Sequence, residues 1–374
     1  MVPGSPLLNL TALLRGCCRT AGPSPKWFGG RAGVAVRYYT HGRLALAEGL
    51  LAVMAEGGHK QAAVYVPSFI CAEALESLRR IPVRLVFYPL LEDLSPDWRR
   101  ISRTESRPGT VHALLLVHYF GFPRWTAAAE GFCRENGMLL LEDGAHLMRP
   151  PAGPSAAVFS IFCPRKLLPV PSGAALVFRD RLAPFLREVP AAGRSGFPAW
   201  LSMKLLQRVL TACGMEWRGL RKLRGLSHSE ADSSKNSTRG LGGCGWFIQG
   251  MLAAFERDLD PIARRRRRSY SELAAGLSGV PGVRILFPSC AEDVCPYVFP
   301  LIVGAGLGRV LSLCEKKGIP AAPWPLLPLE ISHAPEAYPE ALWMRDHLLL
   351  LPIHQSLGAE DVEQMVDAVR AGVS

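Results

Sequence analysis

The chain has 374 residues, 49% hydrophobic and 20% charged, ordinary values for a globular protein able to bury a large core. Its 43 Lys+Arg against 32 Asp+Glu give a formal net charge of +11. That charge admits an anionic partner, but no nucleic-acid-binding motif accompanies it, and ten scattered cysteines without a CxxC pair or zinc-like spacing exclude a metal-ribbon or disulfide-stapled design.

In chain order, residues 1–39 read as an N-terminal arm. The start, "MVPGSPLLNLTALLRGCCRT", has no basic stretch before an apolar core, and Asn9 and Thr11 interrupt its apolar residues. No signal peptide is expected, and no window holds the roughly 18 uninterrupted apolar residues of a membrane helix. The expected location is the cytoplasm. From residue 40 strands alternate with helices. "AAVYVP" (62–67) reads as a strand, "CAEALESLRR" (71–80) as a helix, and "VRLVFYPL" (83–90) and "VHALLLVHYF" (111–120) as strands. "RWTAAAEGFCREN" (124–136) is expected to be a helix with Ala128, Phe132 and Cys133 on one face, ended by Gly137. "MLLLE" (138–142), "AAVFSIF" (156–162) and "GAALVF" (173–178) are further apolar strands. This alternation predicts an α/β fold with a mostly parallel central sheet covered by helices on both faces.

The stretch 214–245 is rich in Gly, Ser and Arg and reads as a mobile or disordered excursion. After it comes a helix expected to break near Pro261, carrying "ARRRRRSYSEL" (263–273), whose arginines a helix would spread around its circumference. "VRILFP", "YVFPLIV", "GRVLSLCEKKG", "HLLLLPIH" and "AEDVEQMVDAVRAG" then complete a smaller α+β unit. The expected division is a large domain over 40–255 and a small C-terminal domain over 256–374.

Ligands of open α/β sheets bind beyond the carboxyl ends of the strands. Asp143 and His146 directly follow strand 138–142, and Lys166 lies just beyond strand 156–162. A lysine that bonds a cofactor aldehyde and a carboxylate that keeps a pyridine nitrogen protonated are what pyridoxal phosphate chemistry requires, and an imidazole three residues on could reach the ring's phenolic oxygen. Taken singly, Asp143 also reads as a helix cap, His146 as a hydrogen-bonded loop residue and Lys166 as a surface lysine.

The segments "THGRLALAEGL", "VYVPSFICAEAL", "VHYFGFP", "LLLEDGAHLM", "FSIFCPRKLLPVPSGAALVF", "IARRRRRSYSEL" and "LLLLPIHQSL" resemble, in order and over nearly the whole chain, the DegT/DnrJ/EryC1/StrS family of sugar aminotransferases, of pyridoxal phosphate fold type I. The resemblance implies Lys166 as the Schiff-base lysine, Asp143 as the partner of the pyridine nitrogen and His146 as the contact to the phenolic oxygen. It places Gly42 and Arg43 where backbone amides hold the phosphate, Ser160 near the phosphate serine, and His118 at a strand end close to the cofactor. The spacing from Ser160 to the lysine is one residue longer than the resemblance leads one to expect. Arg43 replaces a threonine, and its side chain reads equally as added phosphate charge or as an ordinary helix-start residue. Ile70-Cys71 stands where many members carry Thr-aromatic, with Phe69 the nearest aromatic, and Ser172-Gly173-Ala174 replaces a Gly-Glu-Gly-Gly-like turn. What the resemblance implies is a homodimeric aminotransferase that moves nitrogen from an amino acid, glutamate or glutamine, to a nucleotide-linked keto-sugar. The alternatives are a non-transaminating pyridoxal enzyme of dehydratase type, against which Lys166 speaks, and a non-catalytic binding or regulatory relative. His354 in "LPIHQSL" reads as closing the small domain rather than meeting substrate.

Overall fold

A computed structural model describes residues 2–17, 22–30, 32–101, 108–151, 153, 155–191, 197–213 and 242–374. Near-continuous apolar runs form most of a seven-stranded sheet from β1 (Val34–Tyr39), β2 (Gln61–Pro67), β3 (Val83–Tyr88), β4 (Thr110–Val117), β5 (Leu139–Gly144), β6 (Phe159–Phe162) and β7 (Ala174–Arg179). The strand order is β1-β7-β6-β5-β4-β2-β3. The run from β3 to β6 is parallel; β7 is antiparallel to it, and β1, antiparallel to β7, runs in the same direction as the parallel set. Residues 34–39, assigned from sequence to the N-terminal arm, are thus an edge strand of the sheet.

Both sheet faces are covered, which is why β4 is buried from Val111 to Leu116. Ala113, Leu115 and Leu141 pack with α2 (Gly42–Glu56), whereas Leu114, Leu116 and Leu140 join Ala129 and Cys133 of α3 (Thr126–Asn136). The buried stripe of α3 is therefore Ala129–Cys133, one residue from the expected Ala128, which is exposed. Gly137 closes the helix in the left-handed conformation, φ +59°.

The expected helix over 71–80 is instead two short 3-10 turns, Ala72–Leu75 and Leu78–Arg80. Leu75 and Leu78, three apart, are both fully buried, a spacing that a three-residue turn superposes. Pro82 also keeps Ile81 extended at φ −122°, ψ 163°.

Beyond β7 lie α4 (Phe197–Ala212), α5 (Trp246–Ala254) and α6 (Leu259–Leu277). The break falls at residues 255–258, ahead of Pro261, which sits in the first turn of α6 where its missing N–H costs nothing. The expected excursion at 214–245 lies outside the described residues up to 241; Gly242 onward is bonded to the sheet, with Thr40 N–H donating to Gly242 O at 3.0 Å. A four-stranded antiparallel sheet follows, in the order β10 (Ala322–Pro323), β11 (Leu348–Pro352), β9 (Val298–Val303), β8 (Val283–Ile285). One apolar cluster runs from Tyr65, Leu114 and Leu140 to Phe299, Leu301, Leu349 and Val369, joining the small sheet to the α3 face of the large one. His354 is buried here: its Nε2–H donates to Pro3 O at 2.6 Å and its Nδ1 accepts the Ser356 N–H, so it fastens the N-terminal segment. Among the described residues no helix is long and apolar enough to cross a membrane.

Candidate active site

The end of β5 places two acids side by side in sequence and, because strand residues alternate, on opposite faces. Glu142 pairs in register with Ser160 and lies on the α3 face; Asp143 pairs with Ile161 and lies on the α2 face. Glu142 accepts hydrogen bonds from Ser160 Oγ at 2.8 Å and Ser155 Oγ at 3.2 Å, with Thr126 Oγ1 at 3.5 Å and His118 Nε2 at 3.4 Å. Burial would push this carboxyl up, but the His118 ring and the two serine hydroxyls outweigh it and hold it below its ordinary value.

Asp143 is different. Its Oδ1 accepts the Ala145 N–H at 2.8 Å, and among the described residues no other hydrogen bond reaches its carboxylate. Burial raises it above its ordinary value, against the opposing pull of the Lys166 ammonium and that one N–H. Lys166 ends a three-residue 3-10 turn, Pro164–Lys166, just past β6, with its N–H on Cys163 O at 2.9 Å.

His146 completes the group. Its ring stacks on Tyr297 at 4.7 Å and on Phe120 at 6.1 Å, and its Nδ1 accepts the Phe120 N–H at 3.2 Å. Burial, then the nearby Lys166 charge, hold it well below the usual histidine range. A neutral ring with Nδ1 occupied as an acceptor carries its proton on Nε2, leaving one donor. Phe120 supports this from a left-handed backbone, φ 59°, that non-glycine residues seldom adopt. The following Gly121, φ +94°, allows the close approach of residues 295–297: a Cβ there would lie 2.7 Å from Tyr297 N. Tyr297 N–H then donates to Phe120 O at 2.8 Å, and Lys166 Nζ stands 5.9 Å from the Tyr297 ring centroid. Tyr297 was not singled out from sequence; only its place just before the apolar run 298–303 hints at it.

The start of α2 borders the same group. A Cβ on Gly42 would lie 2.6 Å from Cys163 Sγ, so only glycine lets this helix start close on the lysine turn, and the Gly42 N–H is directed at that sulfur. The Arg43 guanidinium pairs with Glu73 and, through Nε at 3.6 Å, with Glu76. Arg165 has a buried Nε without a hydrogen-bond partner and, among the described residues, makes no ion pair. His41 Nδ1 is likewise buried and unpartnered, and burial, then the Arg165 and Arg43 charges, lower the ring to about 4. Unpartnered polar atoms beside an unpaired guanidinium at a helix N-terminus are suited to a phosphate. His41 and Arg165 adjoin Gly42 and Lys166 in sequence, and that adjacency was the signal available.

The structure thus brings Asp143, His146 and Gly42 close to the turn bearing Lys166 and sets two expected residues apart from them. Ser160 is spent on Glu142, with which it pairs in register on the α3 face. His118 lies with the same acid, its Nδ1 accepting the Arg124 N–H at 3.3 Å. Of the Ser172–Ala174 turn, Gly173 adopts φ +130°, a conformation that only glycine enters readily.

No family model and no curated protein sequence matches this chain. Solved structures do. The aminotransferase TlmJ from Streptoalloteichus hindustanus is similar over 100% of this chain and 99% of its own, with a TM-score of 0.69 and 22% identity. DesV of S. venezuelae, solved with a ketimine intermediate, is similar over 91% and 85%, TM-score 0.64, 22% identity. Helicobacter pylori PseC, an aminotransferase involved in the biosynthesis of pseudoaminic acid, is similar over 99% and 98%, TM-score 0.70, 12% identity. The chain has the fold of these aminotransferases, and the resemblance read from sequence holds at the level of the fold.

Proposed function

We propose that this protein is a pyridoxal-phosphate-dependent aminotransferase of the DegT/DnrJ/EryC1/StrS type, acting on a nucleotide-linked keto-sugar with glutamate or glutamine as amino donor. The observation that carries the reading is the convergence of Lys166, Asp143 and a neutral His146 near the start of α2, with the buried Arg165 Nε and His41 Nδ1 left without hydrogen-bond partners. When bound, pyridoxal phosphate would supply an aldehyde carbon for attachment and a ring able to accept electrons. Lys166 Nζ would hold the cofactor's aldehyde carbon and, when its amine is free, would serve as the base that moves the proton. Asp143, poorly satisfied in a desolvated place, is a strong acceptor for a ring N–H. His146 offers its Nε2–H to the ring oxygen and, stacked between two aromatic rings, cannot swing away. Arg43 would contribute a backbone N–H at the helix start, while that of Gly42 lies on Cys163 Sγ; Arg165 would compensate phosphate charge, and the neutral His41 would add a hydrogen bond. The basic balance of the chain suits a diphosphate-bearing acceptor. A homodimer in the cytoplasm is part of the proposal, by likeness of fold.

The test is spectroscopic. Purified protein given pyridoxal phosphate should gain near-visible absorbance, and borohydride reduction followed by peptide mass spectrometry should place the adduct on Lys166. Glutamate should bleach that absorbance. A protein that takes up no cofactor is the non-catalytic relative, and one that colours but responds to no amino donor is the non-transaminating enzyme.

A further inference from the structure

Helix α6 turns Ile262, Arg266, Ser269, Tyr270, Leu273 and Leu277 inward. At that spacing an apolar residue belongs at position 266. Arg264, Arg265 and Arg268 are exposed and Arg267 partly so, as a helix spreads such a run, yet Arg266 is 1% exposed. A buried cation is costly unless fully hydrogen-bonded. Among the described residues no carboxylate pairs with this one. Its donors go instead to carbonyls: Nη1 to Ile353 O at 2.6 Å, Pro296 O at 3.1 Å and Tyr297 O at 3.3 Å, and Nη2 to Leu167 O at 2.9 Å. Nε donates to Gln355 Oε1 at 3.2 Å, and Gln355 Nε2 returns to Leu167 O at 3.3 Å.

These acceptors adjoin the candidate site. Leu167 follows Lys166 directly, and Tyr297 carries the ring that stacks on His146 and faces the Lys166 amine. The lysine turn is only three residues long, and its outgoing carbonyl is held by these two side chains. We propose that Arg266 is a positioning residue: its guanidinium clamps the turn bearing Lys166 to the strand start bearing Tyr297, fixing the amine against the small domain. An apolar side chain could fill the space but would leave the Ile353, Pro296 and Tyr297 carbonyls undonated and Leu167 O with Gln355 alone. A lysine keeps the charge without the planar fork that reaches both sides at once.

The proposal rests on Lys166 being the reactive lysine, and its experiment separates the two ideas. Arg266→Met, Arg266→Lys and Gln355→Leu are compared with the parent by hydrogen exchange and by labelling with pyridoxal phosphate and borohydride. For Arg266→Met, amide protection over 163–168 and 295–298 should fall by about tenfold while β2 and β4 keep theirs. Labelling of Lys166 relative to the exposed lysines should also fall by about tenfold. Arg266→Lys should recover part of both, and Gln355→Leu, which leaves the guanidinium in place, should show the same pattern more weakly. Unchanged exchange and labelling in folded Arg266→Met overturns the proposal, as does protection lost evenly across the chain. Should Arg266→Met not fold, Gln355→Leu and Arg266→Lys decide on the same two readouts. If Lys166 of the parent is not labelled at all, the aminotransferase reading fails, and the exchange pattern still decides the clamp.

Discussion

Glu142 and Asp143 are adjacent acids with opposite fates. Glu142 faces α3, is surrounded by donors and is held below its ordinary value; Asp143 faces α2, has one donor and is held above it by burial. One peptide unit separates a carboxylate that stabilises the fold from one that weakens it. Buried acids that are fully hydrogen-bonded serve the structure, whereas a buried acid left with capacity beside a lysine is available for chemistry.

The largest expected effect comes from removing the cation that Asp143 faces. Lys166→Ala should lose the reducible adduct entirely and lower transamination by on the order of 10³-fold, read by absorbance and steady-state kinetics. Asp143→Asn should follow, with transamination reduced by about 10²-fold and the Ala145 N–H still satisfied. Because Asp143 is raised in the fold, its favourable contribution is present below its ordinary 3.8 and is lost as pH rises through the folded value. At neutral pH the ionised form is a cost, so Asp143→Asn should raise the melting temperature of cofactor-free protein; a lower one would contradict the comparison.

Glu142→Ala should do the reverse. It strands His118 and two serine hydroxyls and should cost about 3 kcal/mol in denaturant unfolding, with no direct loss of cofactor attachment. Glu142 is depressed, so its contribution is complete above its ordinary 4.5 and is lost as pH falls through the folded value. Glu142→Gln should therefore flatten the acid side of the stability profile below that pH. The smallest effect is expected from Arg43→Ala: with its guanidinium on Glu73 and Glu76, cofactor affinity should change by about twofold at most, measured by titration. A tenfold loss would return Arg43 to the phosphate.

Much of this was legible in the residues. Near-continuous apolar runs announced β2 through β7, and Gly137 announced its helix end, because local backbone preference and burial agree there. Asp143, His146 and Lys166 stood out because each lies at or just past the end of an apolar strand run, although β5 continues through Asp143 to Gly144. The segment 71–80 misled because its composition favours helix while the burial of Leu75 and Leu78 and the proline at 82 favour a tighter turn. Ser160 misled because it pairs in register with Glu142 on the α3 face, which a motif read by proximity does not register.

By itself, the sequence determined which residues share a face within one element and which lie at strand ends, since both follow from the periods of strand and helix. It also determined that position 142 opposes position 143. What covers each face was decided only in the tertiary structure. Tyr297 reaches His146, and Arg266 reaches Leu167, across a long separation in the chain, and neither pairing has any local trace. Arginine 266 is indistinguishable in sequence from the four beside it; the packing of α6 against both sheets selects it, because one turn of that helix points to a ring of carbonyls that only a buried, many-handed donor can satisfy.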